Sequence, residues 1–279
     1  FIKMNLNQKK IQLILLFAAL LIVPIKNMSQ GTQVKSEDVK NFLDESGIMH
    51  QIKEIPLIIS EQFEAEASRF EPETRAKIRA AIIDAFQEEQ LVSDAISFIL
   101  ADVQQAQISH IMDWLERPLT QKMNQLELIA SSEEVEELRN AYFMSLEDNP
   151  PPQTRIDIIL DFDDLTNTTD HTVFFISDLY LTLIQAMNPF LPVHEQVSRD
   201  DLEVMREMII REMYNSYKNV TVMMNLFTYR EVSDRELLEY IDYYRTPSGS
   251  WFASISYGVF DHILTKANDR IRSGYGIDN

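Results

Sequence analysis

Cysteine is absent from the 279-residue chain. Its absence removes disulfides, thiol nucleophiles, cysteine-bound metals and a lipid-modified N-terminal cysteine together. Glycine is scarce, six in all, and Gly31, Gly274 and Gly276 lie near the ends. Gly47, Gly249 and Gly258 supply too few positive-φ positions for a fold of strands and tight turns. Histidine is sparse and scattered: His50, His110, His171, His194 and His262 make no H-E-x-x-H or paired-ligand pattern. The sequence therefore implies no metal and no cofactor.

Basic residues are also few. There are 25 Lys and Arg against 44 Asp and Glu. Lys3, Lys9, Lys10 and Lys26 precede residue 30 and every acidic residue follows it, leaving 21 basic groups against 44 and a formal charge of −23. Such a surface repels phosphate backbones and anionic headgroups, so nucleic acid is not an expected partner. What stands at the N-terminus is the counterpart of this acidity: after Met4, Lys9 and Lys10 lead into IQLILLFAALLIVPI, residues 11–25. This has the form of an export signal over residues 1–30, with Phe1, Ile2 and Lys3 upstream of it. The run is shorter than the ~20 apolar residues of a spanning helix, and no second run of spanning length is read after it. The expectation is an exported chain, periplasmic or secreted in a bacterium, without a transmembrane segment once processed. An uncleaved N-terminal anchor is the alternative. Held together without disulfides, it must rely on an apolar core, which its 45% hydrophobic content allows.

Periodicity predicts an all-α fold. Val39, Phe42 and Leu43 follow Ser36, read as an N-cap, and Gly47 ends that run. Ile48, Ile52, Ile55, Ile59 and Phe63 line one helix face, with Pro56 a point for a kink. The stretch EDNPPPQT changes character, and residues 148–154 are expected to be an extended spacer between a helical unit over 36–147 and another over 155–270, with a flexible tail at 271–279. Setting Pro118 against Pro247 gives an offset of 129 residues, which places DWLERPLTQKM opposite DYYRTPSGSWF. Two tandem units, the first a degenerate copy of the second, account for this.

The segment YYRTPSGSWF, residues 243–252, raises the question of a catalytic loop. Ser233 with Glu236 three residues on starts a helix carrying Leu237, Leu238, Ile241 and Tyr244. That helix must stop before Pro247, Thr246 can cap the next one, and Gly249 admits a neighbouring backbone. The segment reads as a helix-to-helix corner. Ser248-Gly249-Ser250 lacks the G-x-S-x-G elbow, and no histidine or acid is placed by sequence to act as its base. Elsewhere, DFDDLTNTTD at 161–170 fails the calcium-loop pattern and reads as a polar helix connection. Met205, Met208, Met213, Met223 and Met224 with Phe227 would line either a packed core or an adaptable groove.

The run VSDRELLEYIDYYRTPSGSWF, residues 232–252, resembles the signature of the bacterial domain of unknown function family numbered 2059, an acidic "ELxxLxxFYxSPxG" segment. Glu236, Leu237, Tyr243, Tyr244, Pro247 and Gly249 match it, with Tyr243 where the family usually has phenylalanine. Trp114, Arg117 and Pro118 resemble it more distantly, and Thr120 replaces the glycine. The resemblance implies an exported all-helical protein and assigns no reaction.

The candidate binding residues are Glu236, Tyr240, Tyr243, Tyr244, Arg245, Pro247, Gly249 and Trp251. Two readings are carried forward. One is a non-enzymatic module that binds a partner protein or an apolar ligand. The other is an envelope enzyme working with carboxylates, with Glu236, Asp242 and Arg245 at the corner.

Overall fold

A computed structural model describes residues 34–103 and 105–275, and among these residues there is helix and no strand. The export-signal reading of residues 1–30 lies outside the described residues. In chain order the helices are α1 (Ser36–Glu45), α2 (Ile48–Glu66), α3 (Pro72–Ala85), α4 (Glu88–Asp102), α5 (Gln105–Leu115) and α6 (Pro118–Ser131). After these come α7 (Glu136–Ser145), α8 (Gln153–Thr166), α9 (Thr168–Met187), α10 (Arg199–Thr228), α11 (Asp234–Asp242) and α12 (Pro247–Tyr275).

Local chemistry explains most of the boundaries. Gly47 adopts φ 73°, the left-handed turn that ends α1 and starts α2. Ser198 and Ser233 form reciprocal capping boxes with Asp201 and Glu236 at the starts of α10 and α11. Proline is the first residue of α3, α6 and α12, where its missing N–H costs nothing. At α1 the expected cap moves: Ser36 is inside the helix, and Asp38 reaches back to the Lys35 amide at 2.9 Å. Pro56 does not end α2, which runs through it to Glu66.

Between α7 and α8 residues 146–152 form turns and irregular backbone, and α8 begins at Gln153, inside the spacer read over 148–154. This segment does not divide the core. Phe42, Leu43 and Ile52 belong to the same buried cluster as Leu237, Ile241, Val259 and Ile263, and α12 packs on α3, α4 and α5 as well as on α8 and α9. Units 36–147 and 155–270 therefore share one interior. The tail reading also changes, because α12 continues to Tyr275 and Ile271 is buried in register with Ile263, Leu264 and Ala267. A helix of spanning length and apolarity does exist beyond the N-terminus, over Thr168–Phe190, and 61% of its apolar 18-residue stretch is buried. It is enclosed by α2, α3, α8, α10 and α12, which is why it carries apolar residues on nearly every face.

The two proline corners meet each other. α6 packs on α11, and α5 packs on α12; under the 129-residue offset these two contacts are counterparts. Trp114 and Tyr243, also counterparts, stack face to face with ring centroids 4.0 Å apart and planes 8° from parallel.

Candidate functional site

The corner itself is assembled from backbone demands. α11 gives way to a single 3₁₀ turn, Tyr243–Arg245. The Thr246 hydroxyl donates to the Tyr243 carbonyl at 2.6 Å and accepts from the Gly249 amide at 3.1 Å, which caps α12. A Cβ on Gly249 would lie 2.0 Å from the Tyr243 carbonyl oxygen and 2.7 Å from the Tyr244 Cα. Glycine is required there because two backbones touch.

The candidate residues separate into an outer and an inner set. Glu236 faces outward, accepts from Lys122 Nζ at 2.7 Å and closes the Ser233 capping box. The Lys122 ammonium first, then Ser233, holds its carboxyl down at about 2. Arg245 pairs with Asp242 and Asp161 on the surface, and Pro247 is exposed. Ser248 has an unexpected neighbour, His110 Nδ1 at 3.3 Å. The fold thus places a histidine that the sequence did not, but both groups sit on an exposed edge and no carboxylate among the described residues pairs with His110 to orient it.

The inner set forms an aromatic nest. Tyr243 lies on Trp114, with its hydroxyl buried and unpartnered, and Trp251 is tilted against Phe42 at 6.2 Å. Tyr244 meets Phe162 at 5.5 Å and Trp114 edge-on at 5.5 Å. Tyr240 and Tyr244 pass beyond this packing and line a partly open cavity of about 90 Å³ bordered by α2, α6, α8, α9, α10, α11 and α12. A single water needs roughly 10–15 Å³ of such space, so the cavity has room for a small organic molecule.

One residue in that cavity was absent from the sequence reading. Glu127 of α6 is 6% exposed and has no cationic partner among the described residues. Its Oε1 accepts from the Tyr240 hydroxyl at 3.1 Å and from the Tyr229 hydroxyl. Burial pushes its carboxyl up to about 8, against the smaller opposing pull of the two phenols. Burial and the adjacent acid in turn hold the Tyr229 and Tyr240 phenols well above their ordinary value. The signal in the sequence was positional. Met123, Glu127 and Ala130 share the buried stripe of α6, so an acid occupies a core position.

The acid at Asp163 contrasts with it. Asp163 is 2% exposed, but it accepts from the Thr169 amide and hydroxyl, both at 2.8 Å, and meets Lys218 Nζ at 2.7 Å. Burial disfavours the Lys218 charge, yet its bonds to Asp163 and Asp164 outweigh that and keep its pKa above the ordinary value. The segment 161–170 is therefore the polar connection expected, hinged at Asn167 with φ 51°.

A wider hollow of about 300 Å³ lies between α9, α10 and α12, sharing Tyr257 and Phe260 with the first. Its arginine is paired within it, while Asp261 at its edge is exposed. Arg206 binds Asp178 through two hydrogen bonds, 2.7 and 3.1 Å, and covers the Phe174 ring, while His171 stacks on Tyr257 at 3.9 Å. The methionines form no continuous groove: Met213 is buried with Val173, Ile176 and Ile209, and Met205 packs on Leu181, Ile184 and Leu202.

No family model, no curated protein and no solved structure matches this chain.

Proposed function

We propose that the chain is an exported, non-enzymatic binding module whose ligand is a small organic molecule held in the cavity behind the 243–249 corner. One observation carries this reading: a buried carboxyl, Glu127, lines a hollow that six aromatic rings share with hydroxyl and amide side chains and that is large enough for a guest. Small-molecule sites combine apolar and aromatic walls with placed polar groups in this way. The export part of the reading rests on the N-terminal residues alone.

A buried acid with a raised pKa is also what catalysis uses, but the surroundings favour binding. The other polar groups of the cavity are phenols, hydroxyls and amides, among them Tyr257, Ser256, Gln51 and Asn225. Acid–base chemistry between carboxyls needs a second one at hand, and none lines this cavity. The corner carboxylates give the enzyme reading no better footing, because Glu236 is engaged by Lys122 and Asp161 and Asp242 by Arg245, all at the surface.

The test is a thermal-shift screen of small cations, anions and neutral molecules against the wild-type chain and Ser256→Leu. Ser256 lines the cavity and is half-buried, so leucine there fills the space from one wall. The expected result is a stabilising ligand whose effect disappears in Ser256→Leu. A shift that survives in the filled variant, or wild-type protein that no small molecule stabilises, would overturn the reading and turn attention to a protein partner.

A further inference from the structure

Resting on that cavity as the ligand site, we infer that its occupant is a small organic cation, an alkyl or quaternary ammonium, whose charge is met by Glu127. Three features converge on this class. The acid is almost fully enclosed, yet no lysine, arginine or histidine pairs with it among the described residues, unlike Asp163 a short way along the core. Both phenolic donors are directed at Oε1, so Oε2 is the oxygen left to a guest. The walls present the rings of Phe162, Tyr240, Tyr244, Phe252, Tyr257 and Phe260. Aromatic faces attract cations through the ring quadrupole, and the attraction grows when the site is dry. A neutral apolar guest would use the rings and leave a carboxyl facing hydrocarbon, which is costly. An anion would meet an acid and electron-rich rings. A cation meets both the acid and the rings, and the chain's formal charge of −19 draws cations toward the surface first.

The same arrangement couples binding to a proton. Glu127 is protonated in the empty cavity at neutral pH, its carboxyl being pushed up to about 8. An entering ammonium favours the carboxylate, so one proton leaves Glu127 for solvent as one cation enters. The ionisable groups that face Glu127 are the phenols of Tyr229 and Tyr240 directly, and of Tyr244 and Tyr257 across the cavity, all raised above the ordinary phenol value. Asp163, whose charge reaches Tyr257, is already matched by Lys218. Glu127 is thus the group of this set that changes charge between acidic and mildly alkaline pH.

The experiment is isothermal titration calorimetry on the wild-type chain, Glu127→Gln and Ser256→Leu. The probes are choline and n-butylammonium, each beside its uncharged twin, 3,3-dimethyl-1-butanol and n-butanol. Wild type is expected to bind at least one cation roughly tenfold or more tightly than its twin. Near neutral pH about one proton should be released per cation, read from two buffers of different ionisation enthalpy, with affinity rising roughly tenfold per pH unit until about pH 8. Glu127→Gln should remove the preference for charge while leaving the weak binding of the neutral twin. If twins and cations bind alike in wild type and both are lost in Ser256→Leu, the cation inference falls while the cavity remains a ligand site. If neither cation binds wild type, the inference falls outright.

Discussion

Replacing Glu127 by glutamine should flatten the pH dependence of stability, and the size of the effect follows from the site. In the fold Glu127 keeps its proton up to about pH 8, whereas its ordinary value is 4.5. Between those limits the folded chain binds one proton more than the unfolded chain, so raising the pH favours unfolding. The contribution is whole below about pH 4.5, is lost at about 1.4 kcal/mol per pH unit, and is gone above about pH 8, at most about 5 kcal/mol in all. In Glu127→Gln the amide oxygen still accepts from Tyr229 and Tyr240 and nothing titrates, while every other ionisable group is common to both proteins. The difference in unfolding free energy, wild type minus variant, should therefore decline by several kcal/mol from about pH 5 to about pH 8. Urea denaturation followed by far-UV circular dichroism at constant ionic strength measures it, since both chains expose the same surface and share a slope. A difference that stays constant to within about 0.5 kcal/mol over that range would refute the reasoning, because it would mean that Glu127 titrates in the fold as it does in water.

Gly249→Ala should lower the melting temperature by several degrees, at a cost of about 2 kcal/mol or more, because the new Cβ meets the Tyr243 backbone at 2.0 Å. Gly274→Ala, with nothing within 4 Å, should be neutral or slightly stabilising in the same helix, and equal effects at the two sites would show that the backbones at the corner do not touch. Arg245→Ala should cost about 1 kcal/mol or less and lose that effect in high salt, as its partners Asp161 and Asp242 are exposed. A larger, salt-insensitive loss by urea denaturation would mean that the corner depends on this ion pair.

What could be read in advance was whatever depends on local spacing. Helix content follows from apolar residues at steps of three and four, and the Ser233 box, the Thr246 cap and the close approach at Gly249 follow from residues adjacent in sequence. The shared core was not legible. Three prolines predict a break in the helix, and the break is there, but whether two units bury their faces separately or together depends on contacts such as α12 with α4, more than a hundred residues apart. The start of the tail was not legible either, since Ile271, placed in it, extends the buried apolar face of α12. The eight candidate residues divide by the face they occupy. Tyr240 and Tyr244 reach the cavity, while Glu236, Arg245 and Pro247 face away from it, because α11 presents acid and apolar faces on opposite sides.

Glu127 was missed for a physical reason that also explains where the cavity lies. The offset that matches Pro118 with Pro247 matches Met123, Asn124 and Glu127 of α6 with Phe252, Ala253 and Ser256 of α12. Glu127, Phe252, Ala253 and Ser256 all line the cavity, so counterpart faces of the two corner helices look into one space. If the two corners were identical, that space would hold the same group twice, and two acids enclosed together could not both ionise. Instead the counterparts differ. An acid stands against a hydroxyl, and a flexible methionine against a ring. Each substitution is unremarkable on its own helix, where one glutamate in fourteen residues resembles any solvated charge. Only the pairing of the corners brings the acid under Tyr240 and Tyr229, removes it from water and leaves it without a counter-ion. The binding chemistry proposed for this chain thus arises where α6 and α12, each begun by a proline, turn different residues to one shared space.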